Sequence, residues 1–187
     1  MKDDAELIDD TLRGDTGAFG QLVLKYQDRL YNTIAHLIGS TDEAYDVVQD
    51  ACVQAFVKLE SFERQAAFYT WLYRIAFNMA ISRRRRRKPV LSVDQAHEVS
   101  GAEPMGHDEA PGDRLEQQER VEQVQAALAK LSEEHRVVLV LREMDGCCYE
   151  TISQMLDLPV GTVRSRLFRA RLQLREQLKA VLQEDLQ

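Results

Sequence analysis

Apolar residues recur at three- and four-residue steps along most of this chain, the spacing that gathers them on one face of an α-helix. Over residues 15–39, Phe19, Leu22, Val23, Tyr26, Leu30, Ile34 and Leu37 form such a face, and Gly39 ends it. A shorter helix is predicted before it, from Asp4 to Arg13. "STDEAYDVVQDACVQAFVKL" (40–59) then opens with Ser40 and Glu43 at capping-box spacing. It places Ala44, Val47, Val48, Ala51, Ala55, Phe56 and Leu59 inside and leaves Asp46, Gln49, Asp50 and Lys58 on outer faces. After the polar loop "ESFERQAA", the segment "FYTWLYRIAFNMAISRRRRRK" carries Phe68, Trp71, Leu72, Ile75, Ala76 and Met79 on one face. Tyr69, Tyr73 and Phe77 fall on another.

The period then stops. Apart from "SVD" at 92–94, the stretch up to Arg114, including "QAHEVSGAEPMGHDEAPGD", collects Gly, Pro, Ser and acids without helical or strand pattern, and reads as a linker. The expected fold class is therefore all-α: two small helical domains, 1–88 and 114–187, joined by a flexible acidic linker, 89–113. In the second domain, Leu115, Val121, Val124, Leu128 and Leu131 line one helix. Ser132 is placed to cap the next, "EEHRVVLVLREM", which Asp145 and Gly146 stop. "YETISQML" follows, then "DLP" and a longer helix from about Val160, a helix, tight turn and helix in succession. Along that last helix Val160, Val163, Leu167, Ala170, Leu174 and Val181 share the core side. Thr162, Ser165, Arg166 and Arg169 lie opposite, flanked by Arg164, Phe168, Arg171 and Arg175.

Composition changes this picture chiefly through charge. The 187 residues, 44% hydrophobic, suffice for folded cores, and the formal net charge is −7. That total hides segregation: Pro89 to Glu134 holds eleven acids against Arg114, Arg120 and Lys130, whereas "SRRRRRK" (82–88) and "GTVRSRLFRARLQLR" (161–175) concentrate arginine. No run approaches the ~18 unbroken apolar residues of a membrane span, and the start, "MKDDAELIDD", is acidic where a secretion signal is basic and then apolar, so a cytoplasmic protein is expected without membrane insertion. Cys52, Cys147 and Cys148 form no C-x-x-C pair, and His36, His97, His107 and His135 sit at no ligand spacing, so no metal or other cofactor is assigned.

The basic helix from Val160 has the chemistry a DNA major groove selects. Guanidinium groups bond bidentately to guanine or hold phosphates, and Thr and Ser permit close approach. A solvated basic face is the plainer alternative, but the preceding short helix and turn supply the support that such a face lacks. Tyr69, Tyr73 and Phe77 beside an arginine run suit unpaired bases stacked on rings with phosphates on arginine. There the alternative, aromatics in a core and arginines in a solvated tail, is equally open on periodicity alone.

At "DEAYDVVQDACVQAFVKL", "FYTWLYRIAFNMAISRRRRR" and "LREMDGCCYETISQMLDLPVGTVRSRLFRAR" the sequence resembles the extracytoplasmic-function (group IV) sigma factors of bacterial RNA polymerase, over about residues 5–88 and 115–180. The resemblance implies sigma region 2 and sigma region 4 domains without catalytic residues. They would bind core RNA polymerase, through the beta-prime clamp helices and the beta flap, and direct it to promoter DNA, in a stress or envelope response and under an anti-sigma protein. It implies polymerase contact by Asp46, Gln49 and Asp50, the last a shorter carboxylate than the family's usual Glu. It implies minus-10 DNA contact by Phe68, Tyr69, Trp71, Tyr73, Asn78, Arg83, Arg84 and Arg85. For the minus-35 element it implies base contact by Arg164, Ser165, Phe168 and Arg169 with phosphate contact by Arg166 and Arg171, whereas periodicity favours Thr162 and Arg166. One departure is Cys147–Cys148, where the family commonly has an aliphatic residue and Ser; Cys148 is a poor cap for the helix that follows.

Two other functions are conceivable. An autonomous activator with the same helix-turn-helix would bind duplex DNA without polymerase, leaving the tyrosines and the 83–87 arginines without work. A nuclease using Asp46 and Asp50 would lack a third ligand to complete a metal site.

Overall fold

The computed structural model describes residues 2–87 and 111–184, and among them there are helices and turns but no strand. The N-terminal unit comprises α1 (Asp4–Leu12), α2 (Thr16–Ile38), α3 (Thr41–Val57), a 3-10 turn (Leu59–Ser61) and α4 (Phe68–Arg87). The C-terminal unit comprises α5 (Pro111–Ala129), α6 (Glu133–Leu139), a π turn (Val140–Met144), α7 (Tyr149–Leu156) and α8 (Val160–Glu184). "SVD" and most of the expected linker lie outside the described residues; α5 begins at Pro111, three residues ahead of the boundary that periodicity suggested, with proline at the start of a helix where its missing N–H costs nothing.

Local chemistry accounts for the helix ends. Asp3 accepts from the Glu6 amide at 2.8 Å while the Glu6 carboxylate accepts from the Asp3 amide at 3.1 Å, a full capping box at α1. Ser40 accepts from the Glu43 amide as its spacing suggests. Gly39 ends α2 at φ 78°, a conformation natural to glycine, and α7 ends on Asp157, also left-handed at φ 53°. Ser132 precedes α6 without making the side-chain cap expected of it.

In the N-terminal unit α3 packs between α2 and α4. Its Ala44, Ala51 and Ala55 are wholly buried, and these small side chains let the helix backbones approach. Phe56, expected in the buried stripe, is 43% exposed and meets Phe19 edge-on at 5.1 Å, because it follows Ala55 by one position and so lies on the side of α3 that carries the exposed Gln49 and Val53. In the C-terminal unit Val137, Val138, Leu139, Val140 and Leu141 are buried in succession, more than one helix face can hide. They are covered from both sides: α8 packs on α6, and α2 of the other unit packs on the π turn. The two units thus share one apolar core, joined further where α7 meets α4.

Candidate nucleic-acid and polymerase interfaces

The C-terminal helix-turn-helix is held by its turn. The Leu158 amide donates to the Ser153 carbonyl at 3.0 Å, and the Ser153 hydroxyl donates back to the Leu158 carbonyl, which fixes the direction of α8. Val163, Leu167 and Ala170 anchor α8 in the core, as periodicity predicted. Of the residues predicted to meet DNA, Arg164, Ser165, Phe168, Arg169 and Arg171 face solvent, with Phe168 71% exposed. Thr162 and Arg166, which periodicity set on the outer face, are only half-exposed. Arg166 is paired with Glu134 at 2.8 Å, because the acidic first turn of α6 lies on that side. Arg171 is held by Glu143 at 2.6 and 3.0 Å, and Arg164 lies 5.8 Å from the Tyr149 ring in a cation–π contact. The free strip therefore combines two guanidinium groups, a hydroxyl and an unburied aromatic ring.

On α3, Asp46, Gln49 and Asp50 are exposed. They are interleaved with Tyr45, Val53 and Val57, large apolar side chains that are 65%, 56% and 69% exposed. Their position off the buried stripe is the one signal of these three in the sequence. An exposed apolar strip edged by carboxylates has the composition common to protein-binding surfaces. Arg83 of α4 leans across to it, hydrogen-bonded to Asp50 and 3.8 Å from Asp46.

The aromatic residues of α4 are placed differently. Phe68, Tyr69 and Tyr73 are buried, Trp71 is half-buried and Asn78 is exposed. Arg84 sits 3.6 Å from Glu133 of the C-terminal unit; the Arg85 side chain lies outside the described residues. Phe62, Phe68 and Trp71 form a cluster with ring centroids 5.0 to 5.9 Å apart, and Tyr73 stacks on Phe77 at 5.7 Å. Burial pushes the Tyr69 and Tyr73 phenols well above their ordinary value, so both keep their protons. The Tyr73 hydroxyl has no hydrogen-bond partner among the described residues.

Several polar bonds cross between the units. Asp145 accepts from Arg29 Nε at 2.7 Å, from Arg29 Nη2 at 3.2 Å and from the Tyr69 hydroxyl at 3.3 Å; the Arg29 guanidinium lies 4.1 Å over the Tyr69 ring. Arg136, buried, donates to the Leu37 carbonyl at 3.1 Å and, within its own unit, to the carbonyls of Ala129 at 2.8 Å and Leu131 at 3.0 Å. His36 is hydrogen-bonded to Gln125. Nothing in the sequence pattern pointed to Arg29, Asp145 or Arg136. Cys147, 4% exposed, has its thiol pushed up to about 12 by burial and by donating to Asp145 at 3.1 Å, whereas Cys148 is exposed and makes no cap bond to α7.

A bundle bearing an exposed apolar strip, coupled to a helix-turn-helix with an open arginine face, has the make-up of a DNA-binding factor that works with a protein partner. Residues 22–90 match the family described as Sigma-70 region 2, and residues 121–174 match Sigma-70, region 4. The chain is 38% identical to the RNA polymerase sigma-H factor of Pseudomonas aeruginosa, covering 98% of both chains. It is 36% identical to the ECF RNA polymerase sigma factor SigW of Bacillus subtilis, over 89% of this chain and 92% of that one, and 38% identical to the ECF RNA polymerase sigma-E factor of Escherichia coli, over 90% of each. The chain belongs to the extracytoplasmic-function sigma factors, which are transcription-initiation factors. Among solved structures it is similar to CnrH in complex with the cytosolic domain of CnrY (TM-score 0.71, 29% identity, 95% of this chain and 97% of that one). It is also similar to the sigma factor RpoE in complex with the anti-sigma factor NepR from Bartonella quintana (TM-score 0.68, 30% identity, 86% and 96%).

Proposed function

We propose that this sigma factor reads the minus-35 element of its promoters with Arg164, Ser165, Phe168 and Arg169, while region 2 binds core RNA polymerase and holds the opened minus-10 strand. The observation that carries the reading is the strip on α8, where these four side chains alone among those predicted for the groove stand clear of intramolecular ion pairs and of the core. Arg164 and Arg169 suit guanine edges, and the Phe168 ring suits a thymine methyl group. Asp46, Gln49 and Asp50, with Tyr45, Val53 and Val57 around them, make the polymerase-facing surface. Its acids would meet basic groups on the beta-prime clamp helices.

On this reading Phe68, Tyr69, Trp71, Tyr73 and Asn78 serve the unpaired strand, Arg83, Arg84 and Arg85 its backbone, and Arg166 and Arg171 the phosphates near the minus-35 element. Flipping a base out of a duplex costs a few kcal/mol, so region 2 acts only with the upstream anchor and the polymerase scaffold in place. The beta flap is the expected partner of region 4, the acidic linker threads a basic channel of the enzyme, and the whole acts in the cytoplasm, where polymerase is. The complex of RpoE with the anti-sigma factor NepR supports an anti-sigma partner here, and with it a stress or envelope response.

Run-off transcription with purified core RNA polymerase on a library of promoter fragments, with and without the protein, tests the reading. Transcripts that depend on the protein and share paired upstream motifs are expected. Duplex binding by the protein alone, with no added transcripts, would point instead to an autonomous activator.

A further inference from the structure

Asp145 is the most thoroughly hidden carboxylate among the ion pairs between the two units: its side chain is 2% exposed although it lies on a turn, where an aspartate ordinarily faces water. A buried carboxylate needs partners, and Asp145 takes most of them from the other unit, two from the Arg29 guanidinium and one from the Tyr69 hydroxyl. Arg29 in turn donates to the Asp145 carbonyl at 3.2 Å and approaches Cys147 Sγ at 3.7 Å. Held in this way, the guanidinium is clamped over one face of Tyr69, while Tyr26 stands 5.5 Å from the same ring. Tyr73, one turn further along α4, is completely buried within the field of Asp145 and Cys147, and its hydroxyl is without a hydrogen-bond partner among the described residues.

We propose that the Asp145 turn of region 4 is an autoinhibitory latch that closes over the Tyr69–Tyr73 face of region 2, with the Arg29–Asp145 pair as its fastening. The proposal rests on the reading of Tyr69 and Tyr73 as strand-holding residues. In the closed state neither ring offers a face to a base. Opening gives water to Asp145, which the closed state would serve poorly without Arg29, so the pair offsets the main polar cost of closing the shared apolar core. The free protein is thereby kept from unpaired DNA until a partner separates its two regions.

The full chain without polymerase tests the latch. Hydroxyl-radical labelling of Tyr69 and Tyr73, and alkylation of Cys147 with the exposed neighbour Cys148 as internal reference, are read by peptide mass spectrometry. In Arg29→Glu all three sites should label at least tenfold faster than in the parent, helix content unchanged, and the charge-reversed pair Arg29→Glu with Asp145→Arg should return them to within threefold. Arg29→Gln, which removes charge without adding repulsion, should give a smaller rise in the same order and stands in if the first variant loses helix. Binding of a fluorescent random-sequence single-stranded 12-mer should strengthen in parallel.

Labelling that stays at the parental rate in both single variants overturns the latch. Labelling that rises without any gain in single-strand binding overturns its role as a cover for a strand site. Run-off transcription with core polymerase reads the underlying function separately. Parental transcription with unmoved labelling fails the latch alone, and accelerated labelling with no transcription by any form fails the functional reading alone.

Discussion

Replacing Arg136 by alanine should cost this protein more than any exposed arginine does, and the structure sets the size of the effect. The side chain is 5% exposed and its guanidinium donates to three carbonyls: Ala129, the last residue of α5; Leu131, just beyond it; and Leu37, in the last turn of α2. These are carbonyls at the negative ends of helices, where intrahelical donors have run out. Hydrogen bonds from a charged donor contribute about 1.5–3 kcal/mol each. Three together are offset by the several kcal/mol that burying a cation costs, and by water reaching some of the freed carbonyls. Burial indeed holds the Arg136 pKa below its ordinary value. The balance is a loss of roughly 2–4 kcal/mol. For two units that share one core each kcal/mol moves the melting temperature by about 2–4 °C, so Arg136→Ala should melt at least ~4 °C below the parent in calorimetry. Arg136→Lys, with a single nitrogen that cannot span three acceptors, should recover less than half of that loss. An alanine variant melting within ~2 °C of the parent would show that desolvation cancels the three bonds and that the reasoning is wrong.

Other consequences are simpler. Phe168→Ala should leave stability within ~0.5 kcal/mol, since the ring is exposed, yet lower promoter-dependent transcription at least tenfold; equal transcription would remove Phe168 from the groove. Cys148→Ser should add roughly 0.5–1 kcal/mol by giving α7 the cap it lacks, seen as a rise in melting temperature. His36 is packed against Gln125 with its pKa lowered by burial, so its packed state favours the neutral ring. The contribution is complete above the free imidazole value of about 6.5 and is lost as pH falls through that value toward the lowered one. The parent should therefore lose melting temperature between pH 7.5 and 5.5 by more than His36→Gln does, and equal slopes would exclude His36 as the cause.

The helices that were easiest to read are those whose burial is one-sided. The stripes of α2 and α8 run along a single face, so a period of 3.6 residues finds them and Gly39 or Pro159 marks their limits. The segment Val137–Leu141 carries no such stripe because α2 covers what α8 does not, and its switch to a π turn accompanies that two-sided packing. The same cause hides Tyr69 and Tyr73: a second face of α4 that looks available from spacing alone is occupied once region 4 is in place. The open strip at Arg164, Ser165, Phe168 and Arg169 lies where family resemblance suggested. A helical wheel sets Ser165 and Arg169 on the same outer face together with Thr162 and Arg166, but it holds no record of the acidic turn of α6 that pairs with Arg166. Arg29 and Asp145 lie 116 positions apart, and no local pattern relates them.

That separation also has a temporal meaning. Every helix of the N-terminal unit is complete by residue 87, whereas the partner of Arg29 follows it by 116 residues. At a synthesis rate of about 5–20 residues per second, Asp145 is made roughly 6–23 s after Arg29, far longer than helices need to form and pack. A nascent chain still on the ribosome therefore carries an N-terminal bundle whose tyrosine face the C-terminal unit does not yet cover, and the first molecule to meet that face does so in competition with the protein's own unborn C-terminus.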